Sequence, residues 1–138
     1  MPDLSADLKQ VPLFGDLTGR QLKKLARRFK RREFAAGVTP VREGEMSGVG
    51  FFVIAEGTAS VSANGVQVGT LGRGDHFGEL SLISERPRTA TVTAEEPLQC
   101  LEMTMWDFKR FVKDNPDVAW KLLRHLADLA ATRERTPR

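Results

Sequence analysis

The chain has few of the residues that crosslink proteins or bind metals. Its 138 residues include one cysteine, two histidines and no tyrosine. The single cysteine, Cys100, excludes an internal disulfide and fits a reducing compartment. Zinc sites usually contain histidine or cysteine ligands spaced three or four residues apart. Neither His76 nor His125 has such a neighbour. The sequence therefore offers no metal ligands to assign.

The chain also lacks long apolar runs. None approaches the roughly 18 residues of a membrane-spanning helix, and the first residues, MPDLSADLKQ, lack the basic start and apolar centre of a signal peptide. Hydrophobic residues make up 41% and charged residues 28% of the sequence, which is usual for a globular protein. We predict one cytoplasmic domain, and the arginine-rich, tyrosine-free composition indicates a bacterial source.

Catalytic arrangements are equally scarce. Cys100 could pair with a histidine as a nucleophile, but it lies in an apolar, strand-like run and is interpreted as a core residue. Trp106 and Trp120 fall at helical positions, and we interpret them as packing residues rather than platforms for stacked bases. The sequence predicts no catalytic residue and no enzyme.

Positive charge is concentrated near the N-terminus. The net charge is +3 and the isoelectric point is about 9.4, and much of the excess lies in residues 20–32, whose core reads QLKKLARRFKRR. Such a segment can bind a phosphate backbone. Equally, Leu22, Leu25 and Phe29 recur at helical spacing, so the charges can form the solvated face of an amphipathic helix. Both interpretations stay open, and no other groove-entering element is visible.

Helical and strand patterns occupy different parts of the chain. A short helix is predicted over 4–10 with an apolar turn at 11–14, and Thr18 is a candidate N-cap for a helix reaching about Phe29. Asn64-Gly65 between two strand-like runs is the sequence signal of a tight hairpin. Strands are predicted at 51–55, 58–63, 66–68, 89–94 and 97–103.

Helical patterns return after Thr104, a candidate cap for a helix over 105–112. Asn115-Pro116 interrupts this helix, and 117–133 is predicted to be one long amphipathic helix. Its apolar stripe is predicted to contain Val118, Leu122, Leu126 and Leu129, joined by Ala119, Leu123 and Ala130. Helices, then strands, then helices predict an α+β fold, in which short strands with regular turns form a sandwich or jelly roll.

Residues 77–92, FGELSLISERPRTATV, carry the chemistry. Gly78 lets backbone amides approach a ligand closely, and the helical turn predicted over 79–83 would direct its amides at an anion. Glu79 is itself an anion, so it suits hydroxyl groups, whereas the guanidinium of Arg88 matches a phosphate bidentately. A phosphate donor beside a hydroxyl acceptor predicts a ribose-phosphate ligand.

This segment closely resembles the phosphate-binding cassette of the cyclic nucleotide-binding domain family, whose pattern is roughly F-G-E-[LIM]-[AGS]-L, a short gap, then P-R-x-A-x-V. The resemblance extends from about residue 11 to about residue 130. The chain matches the pattern at Phe77, Gly78, Glu79, Leu80, Ser81, Leu82, Pro87, Arg88, Ala90 and Val92.

The resemblance implies a β jelly roll (a double-stranded β-helix) flanked by N-terminal and C-terminal helices. It implies one domain over 1–138, with helices at about 4–32, the roll at about 33–103 and helices at about 104–133. It also implies a regulatory domain that binds a 3′,5′-cyclic nucleotide without a cofactor and without chemistry, and that signals through its C-terminal helix. Family members with threonine at the position of Thr89 often accept cyclic GMP, so we expect both nucleotides to bind, and the bacterial-looking composition favours cyclic AMP. Arg88 would pair with the cyclic phosphate and Glu79 with the ribose 2′-hydroxyl. The nucleotide-binding residues implied are Phe77, Gly78, Glu79, Leu80, Ser81, Arg88 and Thr89.

Two other hypotheses stay open. The chain could be a non-sensing module of the same fold that docks a partner protein, or a regulatory piece of a larger protein. No DNA-binding domain is expected after the last helix, although that helix could mediate an oligomer or contact an effector. The turn over 45–50 is more glycine-rich than the family pattern suggests, and no residue of the last helix is assigned to cap the base.

Overall fold

The computed structural model describes residues 4–45, 50–78, 82–83 and 87–134. They form two compact units: a helical unit (residues 4–28 and 109–134) and a β unit (29–108). Whether the two units act as one domain stays a prediction. In chain order the elements are α1 (Ser5–Lys9), a 3₁₀ helix (Pro12–Phe14), α2 (Gly19–Ala26), β1 (Lys30–Phe34), β2 (Gly50–Glu56), β3 (Ala59–Ala63), β4 (Val66–Leu71), β5 (His76–Phe77), β6 (Thr91–Ala94), β7 (Leu98–Thr104), α3 (Met105–Asp114) and α4 (Pro116–Glu134).

The β unit contains two antiparallel sheets. One has the strand order β1-β7-β2-β5 and the other β4-β3-β6. β7 pairs with β1 on one side and β2 on the other, so strands far apart in sequence become neighbours. This arrangement confirms the predicted jelly roll.

Side chains from both sheets share one apolar core. The Phe52 ring stacks on the Phe77 ring with centroids 4.9 Å apart, and its other ring neighbour, Phe34, lies 5.9 Å away edge-on. Burial of one such side chain stabilises the fold by about 1.5–3 kcal/mol. The buried members of this core are Val41, Phe52, Ile54, Ala59, Phe77, Val92, Ala94, Leu98 and Cys100.

The hairpin between β3 and β4 follows the prediction. Asn64 and Gly65 have φ values of 53° and 78°, the positive pair that a two-residue type I′ turn requires. The strands pair directly at Ala63 and Val66. Asparagine and glycine tolerate this backbone better than other residues, so the turn fixes the register of both strands.

In the helical unit, α1 packs against α2, and α4 packs against the 3₁₀ helix. Thr18 caps α2 as predicted: its hydroxyl accepts from the Gln21 amide at 3.2 Å, and the Gln21 side chain accepts from the Thr18 amide at 2.9 Å. Gln21 also donates to Asp117 at 2.6 Å and accepts from Lys121 at 2.9 Å. One capping residue therefore also ties α2 to α4.

The predicted start of α3 and the break before α4 are confirmed. The Thr104 hydroxyl accepts from the Asp107 amide at 3.1 Å, as an N-cap does. Asn115 separates α3 from α4, which begins at Pro116. Proline suits that position because the first amides of a helix have no intrahelical acceptor.

The basic segment is not one helix. α2 ends at Ala26, three residues earlier than predicted, and residues 30–32 belong to β1. Phe29 packs edge-on against Phe51 with ring centroids 5.8 Å apart. The helix therefore ends before Phe29, which lies next to β1. The cations after Phe29 therefore lie on a strand.

The predicted packing of α4 is correct on one side only. Val118 and Leu122 are buried, but Leu123 is 60% exposed. Trp106 and Trp120 are 60% and 63% exposed, so their interpretation as packing residues is wrong. A helix turns about 100° per residue, which places Leu123 on a different side from Leu122. The Leu129 side chain lies outside the described part.

Candidate functional site

Backbone hydrogen bonds fix the position of Arg88. Its amide donates to the Glu45 carbonyl at 2.9 Å, and its carbonyl accepts from the Gly44 amide at 2.9 Å. Nearby, Val41 forms a bridge with Val92. Gly44 and Glu45 therefore hold Arg88 in place through both its amide and its carbonyl.

The Arg88 side chain is half-buried and points at the backbone of β2. Its Nη2 donates to the Gly50 carbonyl at 3.0 Å. Burial lowers the pKa of the Arg88 guanidinium, while the negative charge of Glu45 raises it. An arginine keeps its charge even so. The site therefore holds a partly desolvated cation, and no described carboxylate lies within ion-pair distance of it.

Gly78 is required by the space around this arginine. Its φ is +86°, a conformation that residues with a Cβ seldom adopt. A Cβ there would lie 2.6 Å from Arg88 Nη1 and 2.8 Å from the Gly50 carbonyl oxygen. Gly78 therefore lets the guanidinium pass close to the main chain.

Phe77 positions Gly78 from within the core. Its ring is buried, and it pairs with Phe52 between β5 and β2. The ring therefore faces the core, and Phe77 anchors the chain where the candidate site begins. Thr89, next to Arg88, is exposed. Glu79, Leu80 and Ser81, together with most of the helical turn predicted over 79–83, lie outside the described residues.

Among the predicted site residues, the structure brings Gly78 and Arg88 together. The sequence does not indicate that the Gly50 and Glu45 carbonyls are partners of Arg88. Carbonyl acceptors carry no side-chain signal, and the only hint in the sequence is the glycine-rich turn over 45–50. Gly50, the last residue of that turn, must be a glycine because a Cβ there would collide with the Met103 carbonyl of β7.

Other reactive groups lie apart from this site. Cys100 is a core residue as predicted, and burial raises the pKa of its thiol to about 12. Within the described ranges, no three histidine, cysteine or acidic side chains are grouped as metal ligands would be. No described helix has both the length and the apolar character to cross a bilayer.

A family model described as a cyclic nucleotide-binding domain matches residues 31–115. Among curated proteins, cGMP-dependent protein kinase, isozyme 1, of Drosophila melanogaster is 36% identical over 115 residues, covering 78% of this chain and 15% of that kinase. The cAMP-dependent protein kinase regulatory subunit of Yarrowia lipolytica is 36% identical over 107 residues, covering 76% of this chain and 28% of that subunit. The chain thus spans less than a third of either relative's length.

Solved structures show the same fold. The N-terminal domain of a transcriptional regulator from Streptomyces coelicolor A3(2) superposes with a TM-score of 0.82 at 29% identity. The match covers 96% of this chain and 98% of that domain. Thermus thermophilus catabolite activator protein matches with a TM-score of 0.67 at 28% identity, over 90% of this chain and 58% of that chain.

Proposed function

Because the chain belongs to the cyclic nucleotide-binding domain family, we propose that it is a cytosolic sensor that binds a 3′,5′-cyclic nucleotide without chemistry. The two kinase relatives are named for their dependence on cyclic GMP or cyclic AMP. These names support the ligand class. We propose cyclic AMP as the physiological ligand and cyclic GMP as a second ligand of the same site.

The observation that carries this proposal is the placement of Arg88. Backbone hydrogen bonds fix the residue in place. Its half-buried guanidinium donates to the uncharged carbonyl of Gly50. A phosphate oxygen is a stronger acceptor for a guanidinium than an uncharged carbonyl. A cyclic phosphate carries one negative charge, so one arginine with nearby backbone amides suffices to neutralise it.

The remaining contacts are proposed from the sequence match. Glu79 accepts a hydrogen bond from the ribose 2′-hydroxyl, and the main chain at Leu80 and Ser81 completes the phosphate shell. Thr89 is exposed beside Arg88, where its hydroxyl can meet both the phosphate and a guanine base folded over it. In this account the chain's own groups bind and orient the nucleotide, and none attacks it.

We propose that α4 transmits the signal. The helix begins at Pro116 after the Asn115 break, and it exposes Trp120 and Leu123 to solvent. Large apolar side chains left exposed at i and i+3 form a surface that a partner can cover. An effector protein, an attached effector domain or a second copy of the chain could bind this surface. The nucleotide changes the exposure of this surface only if it binds one arrangement of the chain more tightly than another.

The same exposed surface favours a second candidate function. A non-sensing module would use Trp120 and Leu123 to dock a partner protein and would bind no nucleotide. The two functions differ in one property, which is whether a cyclic nucleotide stabilises the chain.

A thermal shift assay with cyclic AMP and cyclic GMP tests the proposal. A ligand present at about 100 times its Kd stabilises the fold by about 2.7 kcal/mol, which raises the Tm by at least about 5 °C in a chain of this size. The matched control ligand is 5′-AMP, which keeps the base and the ribose but opens the phosphate ring. No shift with either cyclic nucleotide at millimolar concentration would support the docking module instead.

A further inference from the structure

Helix α2 and its C-cap residue, Arg27, expose four cations on one side. Arg20, Lys23, Lys24 and Arg27 are all solvent-exposed, and their spacing of three, one and three residues places them on one helical face. We call these four residues the basic face. The opposite side of the helix carries Leu22 and Leu25, which are buried. The basic face extends about 10 Å along the helix axis.

The positive charge of the basic face is largely uncompensated by acidic side chains. Among the described residues, no carboxylate is within ion-pair distance of the four cations. Asp114 pairs instead with Arg28 at 3.4 Å. The pKa of Asp117 is lowered chiefly by its hydrogen bond from Gln21 and only to a lesser degree by the charge of Lys24. The face therefore presents a concentrated positive charge to solvent.

The lining of the face indicates the class of its partner. The four cations and Gly19 line an open surface region, and among the described residues no apolar side chain belongs to that lining. Protein interfaces usually need apolar or aromatic anchors at their centre. A phosphodiester strand carries closely spaced negative charges, and binding to it without sequence preference rests almost entirely on cations.

We propose that the basic face binds the phosphate backbone of nucleic acid without reading its sequence. Bases are read by side chains that enter a groove, whereas α2 buries its other side in its own unit and offers only cations. The proposal is independent of cyclic nucleotide binding, because all four cations belong to the helical unit and Arg88 to the β unit.

The test is fluorescence anisotropy of a labelled 20-base-pair duplex titrated with the full chain between 50 and 200 mM KCl. If four phosphates are neutralised, log K should fall with log salt at a slope of about −3.6, a loss of about 150-fold across this range. The variant Lys23→Ala/Arg27→Ala should lose about half of that slope. It should also bind at least tenfold more weakly at 50 mM.

A matched variant distinguishes the effect of losing cations of the basic face from the effect of losing net charge. Lys109→Ala/Arg110→Ala removes the same two charges from exposed positions on α3, and we expect its affinity to stay within threefold of the native chain. Equal losses in the two variants, or no binding of duplex at 50 mM, would overturn the proposal. So would binding of phosphatidylserine vesicles or polyglutamate in place of duplex. The Tm of each variant checks folding, and Lys23→Gln/Arg27→Gln replaces a variant that unfolds.

Discussion

The two units of this protein treat large and charged side chains in opposite ways. The β unit buries Phe52 and Phe77 against each other and draws Arg88 partly out of solvent. The helical unit leaves Trp120 and Leu123 exposed and keeps the cations of α2 in water. A cation held by backbone bonds beside a packed core is typical of a binding site. Exposed apolar and basic surfaces are typical of contacts with other molecules, so the two units suit different tasks.

The largest expected difference between the units concerns stability. Phe52→Ala should lower the free energy of unfolding by about 3–5 kcal/mol, because it leaves a cavity in the shared core. Trp120→Ala removes a larger ring that is 63% exposed, so we expect a change within about 0.5 kcal/mol. Urea denaturation of both variants measures this, and losses of similar size would mean that Trp120 is packed after all.

A second comparison isolates the crowding at the site. Gly78 and Gly37 have almost the same φ, +86° and +87°, but only Gly78 has atoms within 4 Å of the position of a Cβ. Alanine at either position pays backbone strain of about 1–3 kcal/mol. Gly78→Ala should cost more stability than Gly37→Ala, and it alone should weaken cyclic AMP binding, by about tenfold or more. Equal effects on affinity would show that Gly78 does not shape the site.

The third prediction concerns communication with α4. Hydrogen exchange should slow at amides 122–131 when cyclic AMP is added, because the bound nucleotide favours one arrangement of this helix. Deletion from Leu126 onward should leave a folded chain that binds more weakly by about 5- to 150-fold, the usual range of coupling between sites. The slow phase of nucleotide dissociation should disappear as well. Unchanged protection would mean that α4 is a fixed support.

The smallest effect is expected at Thr89. One hydroxyl hydrogen bond contributes about 0.5–1.5 kcal/mol, so Thr89→Ala should weaken cyclic GMP binding by about 2- to 12-fold and cyclic AMP binding less. Thr70→Ala, at an exposed position of β4, is the control. If the ratio of the two affinities stays constant, the hydroxyl does not contact the base.

The sequence predicted best what local chemistry determines. The sequence correctly predicts the Asn64-Gly65 turn and the helix caps at Thr18 and Thr104, because each depends on a few adjacent residues. The jelly roll came from the strand pattern and the 77–92 motif together. These features need no knowledge of which distant segments meet.

The predictions that are wrong depend on contacts between distant parts of the chain. Trp106, Trp120 and Leu123 lie on helices, and a helical pattern shows which residues share a face without showing which face is covered. The end of α2 was misplaced because Phe29 packs on Phe51, a long-range contact. The Gly50 carbonyl was missed because a backbone acceptor is the same in every residue.

The most direct test of the central claim is calorimetric titration of cyclic AMP into the native chain and into Arg88→Ala. Loss of one member of a buried charge pair costs about 2–5 kcal/mol, so Arg88→Ala should weaken cyclic AMP binding by roughly 30-fold to several thousand-fold. Arg88→Lys should also lose affinity, because a point charge cannot replace a bidentate fork. Arg73→Ala, at an exposed arginine of the same unit, should bind like the native chain. An Arg88→Ala affinity within threefold of the native value would contradict the account.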